Sequence, residues 1–482
     1  MKRTIAFAFI LALTFQPAAI QAQKNIKAGH KLVFHVKGAS DPIVYLAIHH
    51  RNSLYLRDSA KISAPGTYVF EGKETCEDGL YSLVSAEKSQ YLNFVIDKNY
   101  HFEYFLDTTG NVMNFSVKNS PENTEMLAFQ QQAHLSQQEI KRAIQKRKEF
   151  DAVLNPDSVD FYMEKQKEIN GRMEDFINDL IARNPDFLFS KLQKAYMPIT
   201  VPDPPVKEDG TIDSTYQHCY YLTHFWDNTD LADGRFVYLP VLEELYQQYF
   251  HQMLYFQKSD TIIKYVDAFL AKTEADSLMF RYMVDRLRYD CESSKILGHD
   301  AVFVHIAKNY HLNGKCPWLP EETIAKYRKR VSRLEPILIG KPAPELIIPD
   351  MTGGKLISSH KLKAKYVILW FFDPDCQTCK RESAELKQLY DSLLLTGTLN
   401  FEVYAIGKDK DEGRLKKYVD ENDFKWINVN GNSANINYLD EYNIYESGNP
   451  SLFILDENRI IILNRRIGMQ NIPNYIERVT KN

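Results

Sequence analysis

Tyr366-Val367-Ile368-Leu369-Trp370-Phe371-Phe372, then Asp373-Pro374-Asp375, then Cys376-Gln377-Thr378-Cys379, is the stretch on which the fold turns. Seven consecutive apolar residues read as a strand buried on both faces. After the second cysteine, Leu386, Leu389, Tyr390 and Leu393 recur at helical spacing on one side. The cysteine pair therefore stands between a buried strand and a helix. Cys376 falls at the helix N-terminus, where unpaired N–H groups and the dipole favour a thiolate. Two intervening residues let both sulfurs meet across the first turn, so that Cys376 attacks a disulfide and Cys379 resolves the mixed disulfide. In this context C-x-x-C reads as a redox pair. A zinc site would need further ligands at matching spacing, which the other cysteines and histidines do not supply, and no metal is expected. A structural disulfide is the plainer alternative.

Beyond this helix the pattern alternates. Residues 401–406 read as a strand, 413–422 as a helix, 452–455 and 460–463 as strands around a turn, and 473–479 as a last helix. That alternation marks an α/β domain over residues 337–482. Gly340-Lys341-Pro342-Ala343-Pro344 is its entry segment.

Towards the N-terminus, segments 31–36, 43–48, 67–71, 80–86, 91–96 and 101–106 are rich in β-branched and aromatic residues. Pro65-Gly66, Asp78-Gly79 and Thr109-Gly110 punctuate them. Short strands so spaced predict a β-sandwich over residues 24–119. After Asn119-Ser120-Pro121 the spacing turns helical: Met126, Phe129, Ala133, Ile140 and Ile144, then Phe161, Met173, Phe176, Ile177, Leu180 and Ile181. Helical patterns resume over 241–256, 261–272 and 277–291 and continue to about residue 333, so 120–336 reads as an all-α domain.

Residues 1–22 read as an export signal: Lys2 and Arg3, an apolar run over 5–15, Pro17, and Ile20-Gln21-Ala22 for cleavage. The run is too short for a permanent anchor. No cysteine follows closely enough for a lipid anchor, and no later stretch reads as a membrane span, so no stable membrane anchor is expected. The mature chain is expected to be soluble and, in a Gram-negative cell, periplasmic. With 482 residues, several domains are expected. Lys and Arg number 59 against 63 Asp and Glu, a balance that leaves no basic face for nucleic acid. Six cysteines are too few for a disulfide scaffold.

From residue 339 onward the chain resembles periplasmic thioredoxin-like proteins of the TlpA/ResA type, within the AhpC/TSA grouping. The matching pieces are Ile339-Gly340-Lys341-Pro342-Ala343-Pro344, the strand 367–372, Cys376–Cys379, and Asn449-Pro450-Ser451-Leu452-Phe453-Ile454-Leu455-Asp456. The resemblance implies a C-terminal thioredoxin fold, with Cys376 and Cys379 forming a redox-active disulfide. It also implies a cis-proline at Pro450, with the Asn449 backbone free to pair with a substrate strand. Glu382 matches a glutamate of ResA-like members three residues after the second cysteine, one turn along from Cys379. There it would hold or pass a proton; otherwise it is a solvated helix residue. Protein disulfides are the implied substrates, a membrane thiol transporter the implied electron donor, and no cofactor is needed. Work in the reducing direction is the family's habit. Oxidase or isomerase action, or a non-catalytic envelope binding protein with an inert bond, are the alternatives.

Three departures bear on the redox potential. Gln377-Thr378 lacks the proline common before the second cysteine. Asp375 and Asp373 put carboxylates near Cys376, which opposes the dipole. Trp370 stands where thioredoxin has a buried aspartate. A peroxiredoxin would need Thr and Pro at set distances before its cysteine; relative to Cys376 those places hold Asp373 and Leu369. His49-His50 and His218-Cys219 with His224 lack partners at ligand spacing. The basic cluster 141–148 reads as a solvated helix face, and the aromatic stretch 238–256 as helical core. The order of β-rich segment, helical region and thioredoxin domain also resembles multidomain TlpA-type proteins of Bacteroidetes. For residues 24–336 the expectation is recognition of a partner protein.

Overall fold

The computed structural model describes residues 29–150, 155–206, 208–351 and 354–480. The export signal expected over 1–22 lies outside the described residues. Two units divide the chain. One runs to Tyr255 and adds Asp267–Tyr282; the other takes Phe256–Val266 and the chain from Met283 on.

The first unit opens with strands β1 (Gly29–Lys37), β2 (Ile43–His50), β3 (Ser53–Ala64), β4 (Thr67–Lys73), β5 (Gly79–Val84), β6 (Gln90–Ile96), β7 (His101–Asp107) and β8 (Ser116–Lys118). They lie in the order β6-β5-β2-β3-β4-β1-β7-β8. Neighbours are antiparallel except β1 and β7, which run parallel. Strand spacing of about 4.8 Å would put β6 and β1, five places apart, roughly 24 Å from each other in a flat sheet. Yet the rings of Phe34 on β1 and Phe94 on β6 are 5.1 Å apart. The sheet therefore folds over on itself, and its two halves share one core, the β-sandwich anticipated from the strand spacing. β3 makes the fold-over, pairing along most of its length with β2 and at its end with β4. It is the longest strand and escaped the sequence reading. Of its residues only Ala60 is buried, so no apolar alternation marks it. In the turn after it, Gly66 holds φ +68°, and a Cβ there would sit 2.5 Å from the Val36 carbonyl oxygen.

Helix Pro121–Arg147 follows. Ser120 caps it, accepting the Asn123 N–H, and Pro121 occupies the first turn. Asn123 also exchanges two 2.8 Å hydrogen bonds with the backbone of Val95, acting as a strand partner for β6. Helix Pro156–Arg183 runs back along it, with Arg172 paired to Glu139 and Arg183 to Glu125. Further on, the expected helix 241–256 is Pro240–Tyr246 continued by wider π-helical turns over Gln247–Met253. Tyr249 and Phe250 pack there against Phe225 and Phe269, as core. His49 is bonded to Ser82 and His224 to Asp227, ordinary partners for the histidines noted above.

The second unit carries helices His299–Ile306 and Glu321–Leu334, then the C-terminal α/β fold. A short hairpin of β9 (Ile347–Pro349) and β10 (Leu356–Ser358) precedes a five-stranded sheet. Its strands are β11 (Tyr366–Phe372), β12 (Phe401–Gly407), β13 (Ile427–Asn430), β14 (Ser451–Leu455) and β15 (Ile461–Leu463), ordered β13-β12-β11-β14-β15. β11, β12 and β13 are parallel; β14 runs antiparallel to β11, and β15 to β14. The central strand is buried throughout, as its composition predicts. Ile368, Trp370 and Phe372 enter one core, and Val367, Leu369 and Phe371 the other. Helices Gln377–Leu395, Glu412–Glu421 and Ile472–Thr480 complete the fold. Within this unit Arg333 of helix Glu321–Leu334 pairs with Asp440 at 2.7 Å and Glu446 at 3.2 Å. Among the described residues no helix is long and apolar enough to cross a membrane.

Candidate active site

β11 ends at Phe372, and the chain turns through Asp373-Pro374-Asp375. The Asp373 carboxylate accepts the Asp375 N–H at 2.9 Å, and its carbonyl accepts the Cys376 N–H at 3.1 Å. This turn places Cys376 at the N-cap of helix Gln377–Leu395, with extended backbone at φ −78°, ψ 119°. Its sulfur takes the part a serine oxygen usually plays, accepting the Cys379 N–H at 3.3 Å. One helix N-terminal N–H thus points at the sulfur.

The two cysteines differ sharply in access. Cys376 is partly exposed, whereas Cys379 is fully buried in the core beneath it. Both are free thiols. Cys379 accepts the Asp373 N–H at 3.5 Å. Burial, above all, pushes its thiol up to about 12; the Asp373 N–H pulls the other way, and Cys376 and the Asp373 carboxylate push further. The arrangement has one reachable sulfur and one sheltered sulfur in reserve.

Asn449 and Pro450 lie across from the pair. Their peptide bond is cis. The Cys376 thiol donates to the Asn449 carbonyl oxygen at 3.7 Å. Pro450 is buried and leads directly into β14.

Glu382 lies one turn beyond Cys379 with its side chain 14% exposed. Its neighbours are arginines: Arg381 at 3.4 Å and Arg466 at 3.6 Å. One carboxylate oxygen, Oε2, is buried without a hydrogen-bond partner. Asp375 is exposed and paired with Arg414 at 3.0 Å, so a cation offsets one of the two carboxylates flagged from the sequence.

Three nearby residues escaped the sequence reading. Ser383, almost fully buried, accepts the Trp370 indole N–H at 2.9 Å. Tyr418 and Arg414 come from helix Glu412–Glu421. The Tyr418 ring packs 6.0 Å from Phe372, and it joins Cys376 against the core that holds Cys379. No local motif marks these residues; only the folded sheet brings that helix beside the pair.

A five-stranded mixed sheet with a helix-capping cysteine pair after its central strand defines a thioredoxin-like domain. Residues 339–463 match the AhpC/TSA family, and residues 206–335 match a domain of unknown function, DUF5106. The C-terminal domain is thus an AhpC/TSA thioredoxin-like domain, and its homologues include thiol–disulfide oxidoreductases. It is similar to thiol-disulfide oxidoreductase ResA of Bacillus cereus, 27% identical over 149 residues, which are 30% of this chain and 81% of that protein. Among solved structures, a thioredoxin-like protein from Bacteroides caccae is 20% identical with a TM-score of 0.43, covering 58% of this chain and 99% of that one. A domain of a possible thiol-disulfide isomerase from Cytophaga hutchinsonii is 31% identical with a TM-score of 0.27, covering 30% of this chain and 95% of that one.

Proposed function

We propose that the protein is exported and reduces protein disulfides in the cell envelope through Cys376 and Cys379. The observation that carries this reading is the pairing of a partly exposed, helix-capping Cys376 with a fully buried Cys379 directly below it. The Cys376 thiolate attacks one sulfur of a substrate disulfide, and the other substrate sulfur leaves as a thiolate and takes a proton. Cys379 then loses its proton and attacks Cys376, closing the Cys376–Cys379 bond and releasing the second substrate thiol. Two electrons pass from the pair to the substrate. A membrane thiol donor restores the dithiol, and no cofactor takes part.

Glu382 assists as a proton holder; its Oε2, buried without a hydrogen bond and one turn from Cys379, supports that role. The Asn449 carbonyl, within reach of Cys376, supports a docking place for substrate backbone with Pro450 at its base. Residues 24–336 recognise or position the partner protein.

The test is a trap. Cys379→Ser should accumulate a mixed disulfide with envelope proteins through Cys376, and Cys376→Ser should accumulate none. Equal, background-level trapping by both variants would sink the reading.

A further inference from the structure

Cys379 must become a thiolate to resolve the mixed disulfide, yet its burial suppresses ionisation. The donor that meets its sulfur is a backbone N–H, that of Asp373 at 3.5 Å. The peptide carrying this N–H is held on its other side, where the Phe372 carbonyl accepts the Lys408 N–H at 2.9 Å. The sheet therefore fixes the direction of the donor. What brings the sulfur onto it is the chain between, Asp373-Pro374-Asp375-Cys376.

That chain is a β-turn, closed by the Cys376 N–H on the Asp373 carbonyl at 3.1 Å. Its residues suit it, with Asp at the first position and Pro at the second. The Asp373 carboxylate adds a further closure, accepting the Asp375 N–H at 2.9 Å two residues on. Asp373 thus meets both cysteines through its backbone, Cys379 by its N–H and Cys376 by its carbonyl. Its side chain locks the turn between them. Its charge works the other way, because a negative charge near the sulfur disfavours the thiolate. The residue suits this place by its acceptor, not by its charge.

Other charged and titratable groups surround the turn. Cys376 and Glu382 share the helix of Cys379, with Arg381 and Arg466 beside Glu382. Arg414 is engaged by Asp375 and Asp409, Tyr418 lies on the same helix as Arg414, and Tyr438 lies near Asp373. All of them stay in place in the variants that follow.

We propose that Asp373 is a positioning residue for resolution: its side-chain acceptor locks the turn that seats the Cys379 sulfur on the Asp373 N–H, so that a donor is in place as the thiolate forms. This rests on the exchange reading above. In the step assisted, Cys379 gives its proton to Glu382 and its thiolate attacks Cys376 in the mixed disulfide. The new bond joins Cys376 to Cys379, and the substrate sulfur departs as a thiolate that is then protonated by water. Asp373 is neither oxidised nor protonated in that step.

The test uses the full mature chain, reduced, with an aromatic disulfide that releases one coloured thiolate on attack and a second on resolution. A Cys376→Ser control subtracts release by the other cysteines. Asp373→Asn and Asp373→Ala both remove the charge, and only Asn keeps the acceptor that closes the turn. Asp373→Glu keeps the charge and sets the acceptor one methylene too far out. Measured against the first release, the second should be about ten-fold slower in the Ala variant than in the Asn variant. The same difference should separate the Glu variant from the parent, with a pH midpoint raised by about one unit in each comparison. The Asn variant should resolve with a midpoint at or below that of the parent. Where the Ala variant melts below the assay temperature, the Glu variant against the parent decides. Equal second releases within these pairs overturn the proposal, as does an equal slowing of both phases or a raised midpoint in the Asn variant. If the parent chain gives no release above the control, the exchange reading fails and this inference falls with it. Matched pairs in a parent that does exchange refute the inference alone.

Discussion

The thiol of Cys376 lies 3.7 Å from the carbonyl oxygen of Asn449, although 73 residues separate them in the chain. β11 and β14 make this meeting: they are antiparallel neighbours, with Phe371 opposite Ser451, so the end of one strand faces the start of the other. The pair and the Asn449-Pro450 segment therefore form one end of the sheet. A disulfide-bearing chain laid there would meet the reachable sulfur and a backbone acceptor together.

Glu382 has a carboxylate oxygen buried without a hydrogen bond, beside Arg466. If it holds the proton of Cys379, then with an aromatic disulfide that releases one coloured thiolate on attack by Cys376 and a second on resolution by Cys379, Glu382→Gln should slow the second release by about ten-fold or more and leave the first unchanged. A solvated structural role predicts no change in either phase. Thermal unfolding of the variant, read alongside, separates a fold effect from a chemical one.

Cys379 gives a pH dependence of stability with a definite sign. Its thiol is pushed up to about 12 by burial, above the roughly 8.5 of an unfolded cysteine. The folded state therefore holds the proton more tightly. The stabilisation is fully present below the unfolded value and is lost as pH rises towards 12. Cys76, Cys291 and Cys316 are pushed the same way, also mainly by burial. The contribution of Cys379 is thus read by difference. Between about pH 8.5 and 11, reduced parent protein should lose unfolding free energy more steeply than Cys379→Ala. Parallel curves in denaturant titrations would rule this out.

Glu122 offers a second titration, in the first unit. Its buried carboxyl is pushed up to about 7, chiefly by burial, with the Phe189 N–H opposing. That N–H donates to it at 2.7 Å. Since the folded value is raised, this group's stabilisation is present below about pH 4.5 and lost as pH climbs through 7. Glu122→Gln keeps an acceptor for Phe189 without the charge. It should stabilise the protein at pH 8 relative to the parent and have much less effect at pH 5. A variant equally destabilised at both pH values would contradict this.

Helix Glu321–Leu334 belongs with the thioredoxin-like fold through Arg333, paired with Asp440 and Glu446. Arg465 reaches the Ser294 carbonyl at 3.1 Å, and Asn464 reaches Asp300 at 2.6 Å. A fragment starting at residue 337 removes all of these. It should unfold at a lower temperature than one starting at residue 283, by several degrees for each kcal/mol lost. Equal melting temperatures would show that the preceding helices add nothing to this unit.

The C-terminal fold was legible because one segment carries two independent signals. A strand apolar on both faces can only be central, and a cysteine pair at its end can only open the next helix. The sandwich was legible in strands such as β1 and β7, where buried and exposed residues alternate. β3 was not, because Arg57, Asp58 and Lys61 interrupt a strand that is exposed over most of its length and buried only at Ala60. The division of the chain at Met283 was also hidden. It falls inside the continuous helix Ser277–Ser293, whose spacing does not change there. Tyr418 and Arg414 were invisible for another reason: they come beside the cysteine turn only once the helix Glu412–Glu421 is folded over the sheet.

The central claim is that Cys376 and Cys379 exchange electrons with protein disulfides in the reducing direction, and the reduction potential of the pair tests it most directly. The mature protein would be equilibrated in graded thiol buffers and its free thiols trapped, with Cys379→Ser as the control. The account predicts a pair that opens, with a potential near or below about −250 mV. A potential of roughly −120 to −180 mV would contradict it by reversing the direction of transfer.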